Sequence, residues 1–96
     1  MTRTIRWTRR ALGRLDQIGA YVAQDNPEAA ARVVARIVTA ADALGDRPEM
    51  GRPGRVKTTR ELVLADVSYI IACRVTDRHV DILTIMHSAQ KWPEAL

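Results

Sequence analysis

The chain is short of the features that most function classes demand. One cysteine, Cys73, occurs in 96 residues, so no intrachain disulfide can form. No apolar run approaches the roughly 20 residues of a membrane span. The opening MTRTIRWTRR is charged and has no apolar core of the kind a secretory signal needs. These absences predict a cytoplasmic protein that has no membrane partner. The segment MGRPG lacks the lysine and the following helix of a phosphate-binding loop. Two histidines and one cysteine, widely spaced, do not make a zinc site. No Ser-His-Asp constellation has supporting context. No metal and no cofactor is therefore expected. Internal repeats and low-complexity tracts are missing too.

What is present fits one ordinary domain, residues 1–96. Folding at this size removes roughly two-thirds of the surface of the unfolded chain. That builds one core and leaves little room for a deep catalytic cavity. The composition is 47% hydrophobic and 27% charged, close to globular usage. Fifteen Lys and Arg against eleven Asp and Glu give a formal charge of +4. The cations are clustered. Arg47, Arg52, Arg55, Lys57 and Arg60 crowd one segment, with Glu49 as its only acid. Arg3, Arg6, Arg9, Arg10 and Arg14 form a second group near the N-terminus. Such clusters favour polyanions or an acidic protein partner.

Local patterns predict the elements in order. In Thr2–Trp7, Ile5 and Trp7 alternate with polar residues, the period of a half-buried strand. Thr8 offers an N-cap oxygen. From Arg9 to about Gln24, apolar residues at Ala11, Leu12, Leu15, Ile18, Tyr21 and Val22 mark a helix face, with Arg10, Arg14 and Gln17 opposite. Asp25-Asn26-Pro27-Glu28 ends that helix and starts another: Asn26 caps it, Pro27 suits the first turn, and Glu28 complements the dipole. The second helix runs to about Leu44, burying Ala30, Val33, Val34, Ile37, Val38, Ala41 and Leu44. Gly45 is a natural C′ residue, just past the helix end. Asp46–Thr59, with Pro48, Gly51, Pro53 and Gly54, reads as a long loop.

Three β-favouring runs follow: Glu61–Leu64, Val67–Val75 and Val80–Met86. The predicted fold is α+β, β-α-α-β-β-β, with an antiparallel sheet packed on an N-terminal helical hairpin. Turns centred on Ala65-Asp66 and Asp77-Arg78 would set Leu62 opposite Tyr69, Val75 opposite Val80, Cys73 opposite Ile82, and Tyr69 opposite Met86. Leu62, Tyr69, Ile71, Cys73, Val75, Val80, Ile82 and Met86 then face the helices, and Cys73 is a core residue. Glu61, Val63, Ser68, Ile70, Ala72, Arg74, Asp81, Leu83, Ile85 and His87 take the other face. There Arg74 and Asp81 form a cross-strand ion pair. A one-residue slip would exchange the two faces.

Three stretches carry a family likeness: RWTRRALGRLDQIGAYVAQDNPEAAARVV, RPEMGRPGRVKTTRELV and SYIIACRVTDRHVDILTIMHSAQKWP. Their order and spacing resemble the RelE/ParE superfamily of type II toxin–antitoxin toxins, across nearly the whole chain. The resemblance implies a growth-inhibiting toxin neutralised by a cognate antitoxin of the ParD or RelB kind. ParE-type members poison DNA gyrase. RelE-type members cleave mRNA on the ribosome. Metal-independent RNA cleavage needs an acid, a base and a phosphate clamp. His87 as acid or base, Glu61 as base, and Arg60, Arg74 or Lys57 on phosphate are the candidates here. RelE-like nucleases usually add a tyrosine near the C-terminus, whereas Ser88 follows His87 and no tyrosine comes after Tyr69. The ending IMHSAQKWP resembles the ParE type instead, with His87 as a structural residue near Ser68. A gyrase poison is the expected function, with a ribosome-dependent endoribonuclease as the alternative. A non-toxic binding module is a third reading. The antitoxin is expected to lay an acidic-apolar segment across the N-terminal helices and the open sheet face.

Overall fold

A computed structural model describes residues 2–90. Lys91, Trp92 and Pro93, the end of the last family-like stretch, lie outside them. The elements run β1 (Thr4–Trp7), α1 (Arg9–Ala23), α2 (Pro27–Ala43), a 3-10 turn (Pro48–Met50), β2 (Arg52–Pro53), β3 (Arg60–Leu64), β4 (Tyr69–Val75) and β5 (His79–His87).

The helix boundaries follow from the caps. The Thr8 hydroxyl accepts the Ala11 amide proton at 3.1 Å, and the Asn26 side chain accepts that of Ala29 at 3.0 Å. Pro27 sits in the first turn of α2, where its missing N–H costs nothing. Ala11 and Ile18 of α1 and Ala30, Ile37, Ala40, Ala41 and Leu44 about α2 turn inward. Small alanines let the α2 backbone come close to its neighbours. Leu12 and Tyr21, expected on the buried stripe, remain exposed.

Gly45 directly follows the Leu44 C-cap, the C′ position expected of it, but without the left-handed conformation common there. No described glycine has a positive φ. Its carbonyl instead accepts the Arg3 amide proton at 2.9 Å, and a Cβ on it would come within 2.7 Å of the Arg3 carbonyl oxygen. The glycine is there for a close approach of backbones, not for a left-handed turn.

The sheet has five strands in the order β1-β5-β4-β3-β2. The meander β3-β4-β5 is antiparallel as expected, but β1 joins β5 in parallel. The sheet is therefore mixed. The helical hairpin is the crossover that a parallel pairing requires. The expected loop contains one further strand, β2, only two residues long and at the edge, where Pro53 is tolerated.

Register differs in two places. The β3–β4 connection takes four residues, Ala65–Ser68, so Leu62 faces Ile71 and Leu64 faces Tyr69. This is a shift of two, which keeps every side chain on its predicted face. Ser68 closes the turn at φ 64°. The second difference is a β-bulge. Val75 faces Val80 and Cys73 faces Ile82, as expected, but Ala72 faces Thr84. Leu83 is thus the extra residue, and beyond it the alternation of β5 is reversed. Ile85 joins the core under the helices, His87 comes opposite Tyr69, and Met86 moves to the far face opposite Ile70. The placements of Met86, Ile85 and His87 are corrected accordingly.

The core is formed by Ile18, Ile37, Leu44, Leu64, Ile71, Cys73, Val80, Ile82 and Ile85 with their neighbours. The Cys73 thiol is fully buried, and burial pushes its pKa up to about 11. On the face turned from the helices, Ile70, Ala72, Thr84 and Met86 are buried as well, while Val63 is exposed.

Candidate functional site

The strand β1 ends opposite Ile82, and among the described residues no strand lies beside the rest of the β5 edge. Side chains of α1 take over. The Thr8 hydroxyl lies 2.8 Å from the Ile82 carbonyl and 3.1 Å from that of Leu83. Next along, Arg14 Nε donates to the Ile85 carbonyl at 3.0 Å. These bonds satisfy edge carbonyls that would otherwise face solvent or an intruding chain. They also fasten α1 over the bulge.

Beyond Arg14 the gap between α1 and the strand ends opens into a shallow cavity of about 300 Å³. Arg14, Ile18, Tyr21, Tyr69 and His87 line it. Arg14, Ile18 and Tyr21 share one side of α1 because they are spaced i, i+4 and i+7. That spacing was the sequence signal for Arg14, which belongs with the inward residues and not opposite them. The His87 ring meets Tyr69 edge-on, with centroids 5.3 Å apart. Its Nδ1 accepts the Ala89 amide proton at 3.2 Å. The Gln90 carboxamide oxygen accepts from Arg14 Nη2 and from the His87 amide, each at 3.3 Å. The Ser88 amide donates to the Ser68 carbonyl at 2.9 Å, tying the end of β5 to the β3–β4 turn. A cation, two phenols and an imidazole thus meet in one open cleft.

The other expected site residues lie elsewhere. Arg60 pairs with Cys73, four residues along β4 from Tyr69, which is about 13 Å at the usual strand rise. Its Nη1 donates to the Gly51 carbonyl at 2.6 Å. Glu61 is on the opposite sheet face from His87, buried to 1% exposure. Its carboxylate accepts the Arg55 amide at 2.6 Å and Arg52 Nη2 at 3.2 Å. Arg74 lies opposite Asp81, but the two make no bond. Its Nε reaches the Thr58 hydroxyl at 3.4 Å. Asp81 is held by Arg6 across the parallel pairing, at 2.6 and 3.0 Å. That two-pronged contact is the stronger geometry, and it holds the Asp81 carboxyl below its ordinary range. Lys57 is exposed on the loop. The structure therefore separates His87 from Glu61, Arg60 and Arg74.

Among the described residues, no three His, Cys, Asp or Glu side chains gather as a metal ion would require. No described helix is long and apolar enough to cross a membrane.

Residues 5–92 match the ParE toxin of the type II toxin–antitoxin system, parDE. The chain belongs to the ParE toxin family. Within that family and its relatives, it is 65% identical over 92 residues to the Y4kP protein of Sinorhizobium fredii, covering 96% of this chain and 95% of the other. It is 44% identical over 84 residues to toxin RelE2 of Caulobacter vibrioides, covering 88% and 93%. Among solved structures, it is similar to a chain of the chromosomal ParDE toxin–antitoxin system of P. aeruginosa. That match has 31% identity and a TM-score of 0.80, and covers 90% of this chain and 96% of the other. The ParE-family fold is thus the two helices and five-stranded mixed sheet described above. The chain is a type II toxin of the ParE/RelE kind.

Proposed function

We propose that this ParE-family toxin arrests growth by poisoning DNA gyrase through a protein–protein contact, and that a cognate antitoxin neutralises it. The observation that carries the reading is the dispersal of the nuclease candidates. RNA cleavage needs proton donor, proton acceptor and phosphate clamp around one reacting phosphate, within hydrogen-bond reach. Glu61 is buried in a structural pair on one sheet face, and His87 stands at the end of the other. Arg60 and Arg74 serve a loop at the far end of the strands. The match to the ParE family points the same way. Purified toxin added to gyrase and supercoiled plasmid should block supercoiling and accumulate cleaved DNA complexes. No effect at stoichiometric excess removes the reading.

One observation favours the RelE-type alternative. Arg14, Tyr69 and His87 share the α1–β5 cleft, and a relative 44% identical bears the name toxin RelE2. In that case His87 transfers the proton and Arg14 holds the phosphate. The check is mRNA in a translating extract: codon-spaced cleavage supports the nuclease, and intact message during arrest excludes it.

The antitoxin partner is supported by the similarity to a chain from a ParDE system. Its segment would find exposed apolar contacts at Leu12 and Tyr21 on α1 and at Val63 on the sheet. Co-expression with the adjacent small gene should give a complex that survives moderate salt. Expression of the toxin alone should stop growth, and unimpaired growth would leave only a binding module.

A further inference from the structure

At the end of the molecule away from the α1–β5 cleft, the segment between the 3-10 turn and β3 folds back on itself. The Gly54 amide donates to the Thr59 carbonyl at 2.8 Å and the Thr59 amide to Val56 at 3.2 Å. Thr58 takes a left-handed φ of 69° to make this possible. The buried Glu61 carboxylate pins the segment from beneath through Arg55 and Arg52. A fixed loop results, set around a shallow cavity of about 310 Å³ lined by Pro53, Thr58, Thr59, Arg60 and Val75.

Its outer surface is cationic. Arg52, Arg55 and Lys57 are exposed on the loop, and Arg60 and Arg74 border it half-buried. The acid nearest in sequence, Glu61, is turned inward at 1% exposure, while the Arg52 side chain stays 56% exposed. Glu49, three residues before Arg52, is exposed, so the outward charges on and beside the loop are five cations against that one nearby acid in the segment. The loop carries no aromatic residue. Among the described aromatics, Tyr21 and Tyr69 lie in the distant cleft, and Trp7 is on β1 at the opposite sheet edge from β2. Among the described residues, no aromatic ring stands at the loop for the unstacked bases of a single strand. Fixed cations without stacking groups suit the backbone of an intact duplex, read by charge and not by sequence.

We propose that this loop, through Arg52, Arg55, Lys57, Arg60 and Arg74, binds the phosphodiester backbone of duplex DNA. The inference extends the gyrase reading above, since gyrase holds duplex DNA and a toxin lodged there would touch both. The test is fluorescence anisotropy of the purified chain with a labelled DNA duplex of about 20 base pairs, at several salt concentrations. Binding should weaken linearly in log–log form with salt, with a slope near −4 if four to five phosphates are neutralised. The double variant Lys57→Gln, Arg74→Gln should lower that slope by about 2 and weaken binding at least tenfold. Arg9→Gln with Arg32→Gln, the same charge loss on the helices, should change affinity less than threefold. No binding at low salt overturns the proposal. Equal loss in the two double variants also overturns it, as does tighter binding of single-stranded RNA or polyglutamate than of the duplex. No DNA binding by a chain that still poisons gyrase sinks this inference and leaves the gyrase reading standing. DNA binding without any effect on gyrase does the reverse.

Discussion

His87 stands edge-on to Tyr69, with ring planes at 89°. The two lie opposite each other across β4 and β5 only because Leu83 is an extra residue in β5. Without it, Tyr69 would face Met86 and His87 would lie on the far side of the sheet. One bulge residue thus delivers the imidazole to the side where Arg14 and Tyr21 already are. The bulge is held in turn by the Thr8 hydroxyl, which also starts α1.

For a gyrase poison, that contact is structural. An edge-to-face aromatic pair adds about 0.5–1.5 kcal/mol. His87→Ala should therefore lower the melting temperature by about 3–10 °C in a chain of this size. Gyrase inhibition should stay within about threefold once the protein is folded, as scored by plasmid supercoiling. Codon-spaced mRNA cleavage by the native chain in a translating extract, lost more than a hundredfold in a His87→Ala protein that still melts cooperatively, would instead make His87 a catalyst and favour the nuclease.

The elements themselves were legible because their signals are local. Thr8, Asn26 and Pro27 mark helix starts by what their own side chains can and cannot bond. Alternation at Ile5 and Trp7 marks a half-buried strand. The same alternation says nothing about which strand is the neighbour, so the parallel pairing of β1 with β5 was hidden. The bulge was hidden for another reason. Ile82, Leu83, Ile85 and Met86 are apolar on both sides, and β5 is largely buried on both faces. A pattern without a polar phase gives no sign of where it slips. Arg14 was misplaced because a long side chain can turn its charged end to a strand edge while its stem follows an apolar face.

Gly45 offers a sharper check on the packing. Gly45→Ala puts a methyl within 2.7 Å of the Arg3 carbonyl. The α2 end and β1 must then separate, at a cost of about 1–3 kcal/mol. Gly13→Ala is the control, since nothing lies within 4 Å of its added methyl on exposed α1. Helix propensity predicts a gain there of about 0.5–1 kcal/mol. Urea unfolding of the two variants should move the midpoint in opposite directions.

Acid stability depends in part on Asp81, the less exposed of two described aspartates held by an arginine. The hydrogen bonds from Arg6 depress its folded pKa below the ordinary aspartate value. A depressed carboxyl stabilises the fold above its unfolded pKa of about 3.9, and the gain is lost as pH falls through the lower folded value. Stability of the native chain should therefore decline as pH drops below about 4. Asp81→Asn should be less stable at neutral pH and lose less on acidification. Parallel pH dependences for the two proteins would show that the Arg6 pair contributes nothing to folding.

The two partners that hold the basic loop should respond unequally to mutation. Glu61→Gln leaves Arg52 unpaired, but the Arg52 side chain is 56% exposed and water takes the place of the carboxylate. Arg52→Gln leaves the Glu61 carboxylate at 1% exposure with the Arg55 amide but without its guanidinium. A buried charge that loses its partner retains its desolvation cost, whereas a half-exposed one does not. Arg52→Gln is therefore expected to be the worse of the two, by about 1–2 kcal/mol. Adding Glu61→Gln to it should recover part of the loss, because the stranded charge is then gone. Chemical denaturation of the four proteins in the cycle measures this. Amide exchange at Arg55 and Thr59 should quicken in both single variants. If Glu61→Gln proves the more damaging, or the double variant is simply additive, the carboxylate does not pin the loop and the fixed arrangement of its cations has another cause.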